Sequence, residues 1–190
     1  MPHGAKGEVD IWDEFAANGE ALAFESERLL AERMGHDIEA SVETSDLADL
    51  EGREREAIVR TRVNQSYFRR MVLTRYDDKC CVTSLATPEL LVASPIVPWA
   101  EAPAERMNPR NGLSLNALHD RAFDRGLLTA TNDLHMGIAP SVREGASAAT
   151  SDFLLRFDEA PLKLPDRFAP DRGSSSTIES TFSETRSNNR

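Results

Sequence analysis

Imidazole and carboxylate, the side chains best able to move a proton near neutral pH or to hold a divalent ion, fall together on one short stretch of this chain. His119, Asp120 and Asp124 follow closely on the dipeptide Asn111-Gly112. Each also has a plainer reading. Asn-Gly is a common turn. A histidine on an amphipathic helix, taken alone, is more often a packed or surface residue than a ligand. Asp124 can cap its helix or pair with Arg121 or Arg125 as well as bind a metal, and Asp120 reads as a solvated helix residue.

The elements that must position these groups can be read around them. Cys81 to Leu85 and Glu89 to Val97 are short apolar runs separated by Ala-Thr-Pro, a turn signal, so the spacing predicts a β-hairpin. A Pro-rich irregular loop follows. Asn111-Gly112 then leads into a short amphipathic helix carrying His119, Asp120, Phe123 and Asp124. Trp99 and Phe123 are the expected aromatic core of so small a unit.

Four segments stand in order along this stretch: Cys81-Val82-Thr83-Ser84, Leu91-Val92-Ala93-Ser94-Pro95-Ile96-Val97-Pro98-Trp99, Asn108-Pro109-Arg110-Asn111-Gly112-Leu113 and Leu118-His119-Asp120-Arg121-Ala122-Phe123-Asp124-Arg125-Gly126. In content and order they resemble the HNH endonucleases, in particular a bacterial restriction-endonuclease-like branch. The resemblance implies an α+β fold: a ββα-metal finger flanked by N-terminal helices and short C-terminal strands. It implies hydrolysis of phosphodiester bonds in DNA with one divalent ion, Mg²⁺ first, with Mn²⁺, Ni²⁺ or Zn²⁺ as the others. It also implies a homodimer, because a one-site finger needs two copies to cut both strands.

Carried over by residue, the resemblance gives Asn111 the role of orienting the finger through hydrogen bonds. His119 becomes a metal ligand, and Asp124 a carboxylate at the metal. One position departs from the pattern: the histidine that opens the motif and serves as general base is Pro95 here. Proline has no ionisable group and no backbone N–H, and loss of a general base typically lowers rate by about 10²–10⁴-fold. The expectation is therefore an HNH-family hydrolase whose activity is impaired as written. The alternative is a non-catalytic DNA-binding or protein-interaction module on the same fold.

The formal net charge of −10 divides unevenly along the chain. Residues 1–56 carry 16 acidic and 5 basic side chains, whereas residues 57–190 carry 16 acidic and 17 basic. Between Ala57 and Tyr76, Arg60, Arg62, Arg69, Arg70 and Arg75 stand with no acid among them. That is the footprint of a phosphate-binding face or of a solvated helix face. With Arg110 and Arg121 they are the expected DNA contacts. The neighbouring thiols Cys80 and Cys81 make no disulfide framework and offer no C-x-x-C pair for zinc, so packing must hold the finger together. No apolar run approaches the roughly 18 residues of a membrane span, and the start of the chain lacks a signal-peptide core, so a cytoplasmic protein with no membrane partner is expected.

In chain order, a helix is predicted from Ile11 to about Met34, capped by Asp10 and stopped by Gly35, with Trp12, Phe15, Leu22, Leu29 and Leu30 as its packing face. Residues 1–35 thus form a helical arm and 36–56 an acidic linker. A second helix is expected from about Arg53 to Tyr76, with Val59, Val63, Phe68, Val72 and Leu73 apolar. The nuclease domain spans 57–170 with its finger at 80–128. Beyond the finger, two short strands should flank Asn132-Asp133. Phe153 to Phe157 and Leu162 to Pro165 should close as strands, and residues 171–190 form a Ser-, Thr- and Asn-rich flexible tail.

Overall fold

The structure, a computed structural model, describes residues 18–38 and 52–170. The expected Asp10 cap, the packing of Trp12 and Phe15, most of the acidic linker and the tail fall outside the described residues. The fold is α+β. The chain divides into two compact units, Met1–Phe68 and Arg69–Arg190, so the boundary falls inside the long second helix.

In the first unit, α1 (Gly19–Met34) begins where Asn18 accepts the Ala21 N–H on its side chain. It ends at Gly35, whose φ of 77° is the left-handed conformation that lets its N–H reach back to Ala31 and Glu32. The expected leucine face is not the packed one. Leu22, Leu29 and Leu30 are exposed, and Ala23 and Ala31 are buried instead. Val59 and Val63 of α2 (Gly52–Arg75) form a small core with Phe24, Ile38 and Ile58.

In the second unit the hairpin exists, but its strands are not the two expected. β1 (Leu91–Pro95) pairs antiparallel with β2 (Gly112–Asn116), from Leu91 opposite Asn116 to Pro95 opposite Gly112. The Pro-rich loop is therefore the hairpin's connection, and Asn111-Gly112 opens a strand rather than the helix. Cys80 to Leu85 curls into a closed turn: the Cys80 N–H donates to the Leu85 carbonyl, the Ser84 N–H to the Cys80 carbonyl, and Ser84 sits at φ 60°. A turn this tight cannot also run as a strand. Leu91, Leu113, Leu115, Leu128 and Met136 are the large, fully buried side chains of this unit, an aliphatic core in which Trp99 and Phe123 are only half-buried.

The outward-facing edge of the hairpin is closed by other parts of the chain. The Ile96 N–H donates to Asn111, which makes Pro95 and Gly112 a non-hydrogen-bonded pair, so the missing N–H of Pro95 takes nothing from the ladder. Carbonyls that point away from the partner strand are taken in turn. Arg69 donates to Leu91 at 2.5 Å, Arg75 to Gly112 at 2.7 Å, and the Cys81 N–H to Ser114 at 2.7 Å. Buried carbonyls left without donors would each cost on the order of 1–3 kcal/mol.

α3 (Ala117–Asp124) follows β2 directly. It stops at Gly126, φ 64°, where the Gly126 and Leu127 N–H groups reach back to Phe123 and Ala122. β3 (Leu128–Ala130) and β4 (Met136–Ile138) pair antiparallel about Asn132-Asp133, as expected. The expected closing strands do not form. Ser147 caps α5 (Ala148–Phe153) through the Thr150 N–H, and Leu155–Phe157 is a 3₁₀ turn. Near Leu162 a single bridge joins His135 and Pro161, because Pro161 and Pro165 have no N–H with which to extend a ladder. A further short helix, α4 (Pro140–Arg143), lies between β4 and α5 in sequence.

Candidate active site

The end of β1 and the first turn of α3 bring together the groups with chemical potential. Asn116 accepts the His119 N–H on its side-chain oxygen at 2.9 Å and so starts α3. From that turn, Asp120 accepts a hydrogen bond from the buried Ser94 hydroxyl at 2.5 Å. Strand alternation puts the Pro95 ring on the opposite face from Ser94. Burial holds the Asp120 carboxyl above its usual range. The Ser94 hydroxyl opposes that shift, and the nearby Asp124 charge adds to it. The sequence-based reading of Asp120 as a solvated residue is corrected: it is the carboxylate that α3 turns toward β1, while Asp124 is exposed.

Asn111 is buried, and its whole amide is engaged. Its oxygen accepts the Val97 N–H at 2.7 Å, and its nitrogen donates to the carbonyls of Val97 at 3.1 Å and Glu105 at 3.2 Å. It therefore fixes the backbone that leaves Pro95 and turns through the loop.

His119 is buried to 2% exposure, and both ring nitrogens are occupied. Nε2 lies 2.8 Å from the Phe153 carbonyl, which can only accept, so Nε2 carries the proton. Nδ1 lies 3.2 Å from the Asn116 amide nitrogen and accepts from it. The Phe157 ring meets the imidazole edge-on, with centroids 5.3 Å apart. No lone pair is left for an ion, and among the described residues no three His, Cys, Asp or Glu side chains are grouped to share one. Of the pair expected from resemblance as metal ligands, His119 thus has both ring nitrogens engaged within the chain, and Asp124 is exposed.

The arginines separate by what they touch. Arg69 also donates to Pro88, and Arg75 to Phe168. Both are structural ties rather than a free phosphate-facing stripe, and burial lowers the affinity of the Arg75 guanidinium for its proton. Arg60 pairs with Glu56 at 3.9 Å and lies over Phe24. Arg62, Arg70, Arg110 and Arg121 are exposed. His135 donates from Nδ1 to Asp133 within the β3–β4 turn, away from these groups in sequence and in its bonding. Sequence reasoning passed over Ser94 and Asp120; the one signal available was their placement directly before Pro95 and directly after His119.

A hairpin with a long loop, followed at once by a short helix that turns a carboxylate onto the first strand, is the architecture of a ββα finger. Residues 80–129 match the family model of the HNH endonucleases. No curated protein matches the chain. HNH nucleases generally use a divalent metal and act on DNA. Among the described residues no helix is long and apolar enough to cross a membrane.

Proposed function

We propose that this protein is a DNA endonuclease of the HNH type, related to restriction enzymes, whose hydrolytic step is impaired because Pro95 stands where the general base belongs. The observation that carries the reading is the coincidence of the family match, residues 80–129, with β1, the loop, β2 and α3. Hydrolysis of a phosphodiester needs a group to take the proton from the attacking water. Pro95 has none. Ser94 cannot replace it at neutral pH, since its hydroxyl donates to Asp120 and has no histidine behind it. Cleavage of both strands would call on two copies of this one-site domain.

Pro95 also favours a second reading, a DNA-binding module that does not cut. The two share DNA as partner and separate on cleavage. Anisotropy titration of a labelled duplex between about 50 and 200 mM salt tests the shared claim: binding should weaken steeply and linearly on logarithmic axes as phosphate contacts are lost. Absence of binding at the lowest salt would remove both readings. Nicking of supercoiled plasmid by the unaltered chain at rates like those of intact nucleases would remove the impairment.

A further inference from the structure

With no C-x-x-C pair in the sequence, the question is what fastens the turn before β1 to the start of α3. Four side chains converge there, in two pairs of equal spacing: Cys80-x-x-Thr83 from the closed turn and Asn116-x-x-His119 from the helix start. The helix cap fixes the Asn116 amide, because its oxygen is committed to the His119 N–H. Its nitrogen therefore faces the other three: the Cys80 sulfur at 3.7 Å, the Thr83 hydroxyl at 3.5 Å and His119 Nδ1 at 3.2 Å. Cys80 and His119 are both almost fully buried. Neighbouring ligands of a tetrahedral zinc ion stand roughly 3.3–3.8 Å apart, given Zn–S near 2.3 Å and Zn–N near 2.0–2.1 Å, and ligand pairs two residues apart from two elements are how such ions are held.

We propose that Cys80, Thr83, Asn116 and His119 form a metal-free clip with the layout of a tetrahedral metal cage, in which the Asn116 amide ties together side chains that an ion would otherwise join. Cys80 and His119 are ligand types already, whereas Thr83 and Asn116 are not. The clip joins the Cys80–Leu85 turn to α3 and so makes Asn116 and His119 positioning residues for Asp120. The inference stands independently of the nuclease reading.

The test is the full chain carrying Thr83→Cys and Asn116→Cys, titrated with Co²⁺ and melted with and without Zn²⁺. One equivalent of Co²⁺ should give tetrahedral bands with sulfur charge transfer, altered when His119→Ala is added. Zn²⁺ should raise the melting temperature of this variant and not that of the unaltered chain. If the double variant folds only with zinc present, the layout is upheld; if it neither folds with zinc nor binds Co²⁺, the clip is wrong. A second measurement uses no new ligand. In Asn116→Ala one thiol should react with a thiol reagent about tenfold faster than in the unaltered chain, for a lost cap and tie worth about 1.4 kcal/mol. Equal rates would overturn the proposal.

Discussion

His119 Nε2 donates to the carbonyl of Phe153, 2.8 Å away, so a histidine of the finger is fastened to a residue beyond the family-matched segment. This bond, with the Asn116 contact and the Phe157 ring, makes His119 part of the framework. His119→Ala should therefore cost about 2–4 kcal/mol of stability in urea unfolding, the sum of a cavity and two orphaned partners. A change under about 0.5 kcal/mol would mean that the imidazole is not held as described.

Asp120 should behave in the opposite sense. Its carboxyl is raised in the folded chain, by burial first, so the ionised form is disfavoured by folding. Such a group contributes stability fully below its unfolded value, near pH 4, and loses it as pH rises through the folded value. Asp120→Asn, which can still accept from Ser94, should melt higher than the unaltered chain at neutral pH, with the gap closing below about pH 4. A lower melting point at pH 7 would contradict the assignment. A residue that weakens its own fold at working pH is what a site group looks like.

Arginine substitutions should divide by position. Arg69→Gln and Arg75→Gln remove donors from hairpin carbonyls and should lower the melting temperature, each by a loss of about 1–3 kcal/mol. Arg62→Gln and Arg70→Gln change exposed side chains, whose surface contacts are worth little, so they should lower it far less and each reduce the salt slope of DNA binding by about 1. Equal loss of stability from all four would remove the division.

Asn111→Ala should loosen the loop after Pro95. It removes one acceptor and two donors from the backbone of Val97 and Glu105, so limited proteolysis should cut between β1 and β2 well before the rest of the second unit. Cleavage first at another site would show that the loop is held otherwise.

Local signals identified the two longest helices. The Val59, Val63, Phe68, Val72 and Leu73 spacing gave α2 nearly to its ends and the Gly35 stop gave the end of α1, whose expected start at Ile11 lies outside the described residues, because caps and periodicity are written within one element. The hairpin was misread, since Cys81 to Leu85 is apolar for a reason that periodicity does not report: its turn is buried against the outer edge of β2. The strand Gly112–Asn116 hid behind a turn-forming Asn-Gly. Motif spacing located the candidate site but misassigned its side chains. His119 and Asp120 are adjacent on one helical turn, and only tertiary pairing, with Phe153 for one and Ser94 for the other, decides which faces inward as framework and which faces β1.

Nicking of supercoiled plasmid by the Pro95→His chain, beside the unaltered chain, with Mg²⁺, Mn²⁺ and Ni²⁺ in turn, tests the central claim most directly. Restoring a general base at the end of β1 should raise the nicking rate by about 10²–10⁴-fold. A folded, DNA-binding Pro95→His chain that nicks no faster than the unaltered one would contradict the account of an HNH nuclease impaired at a single position.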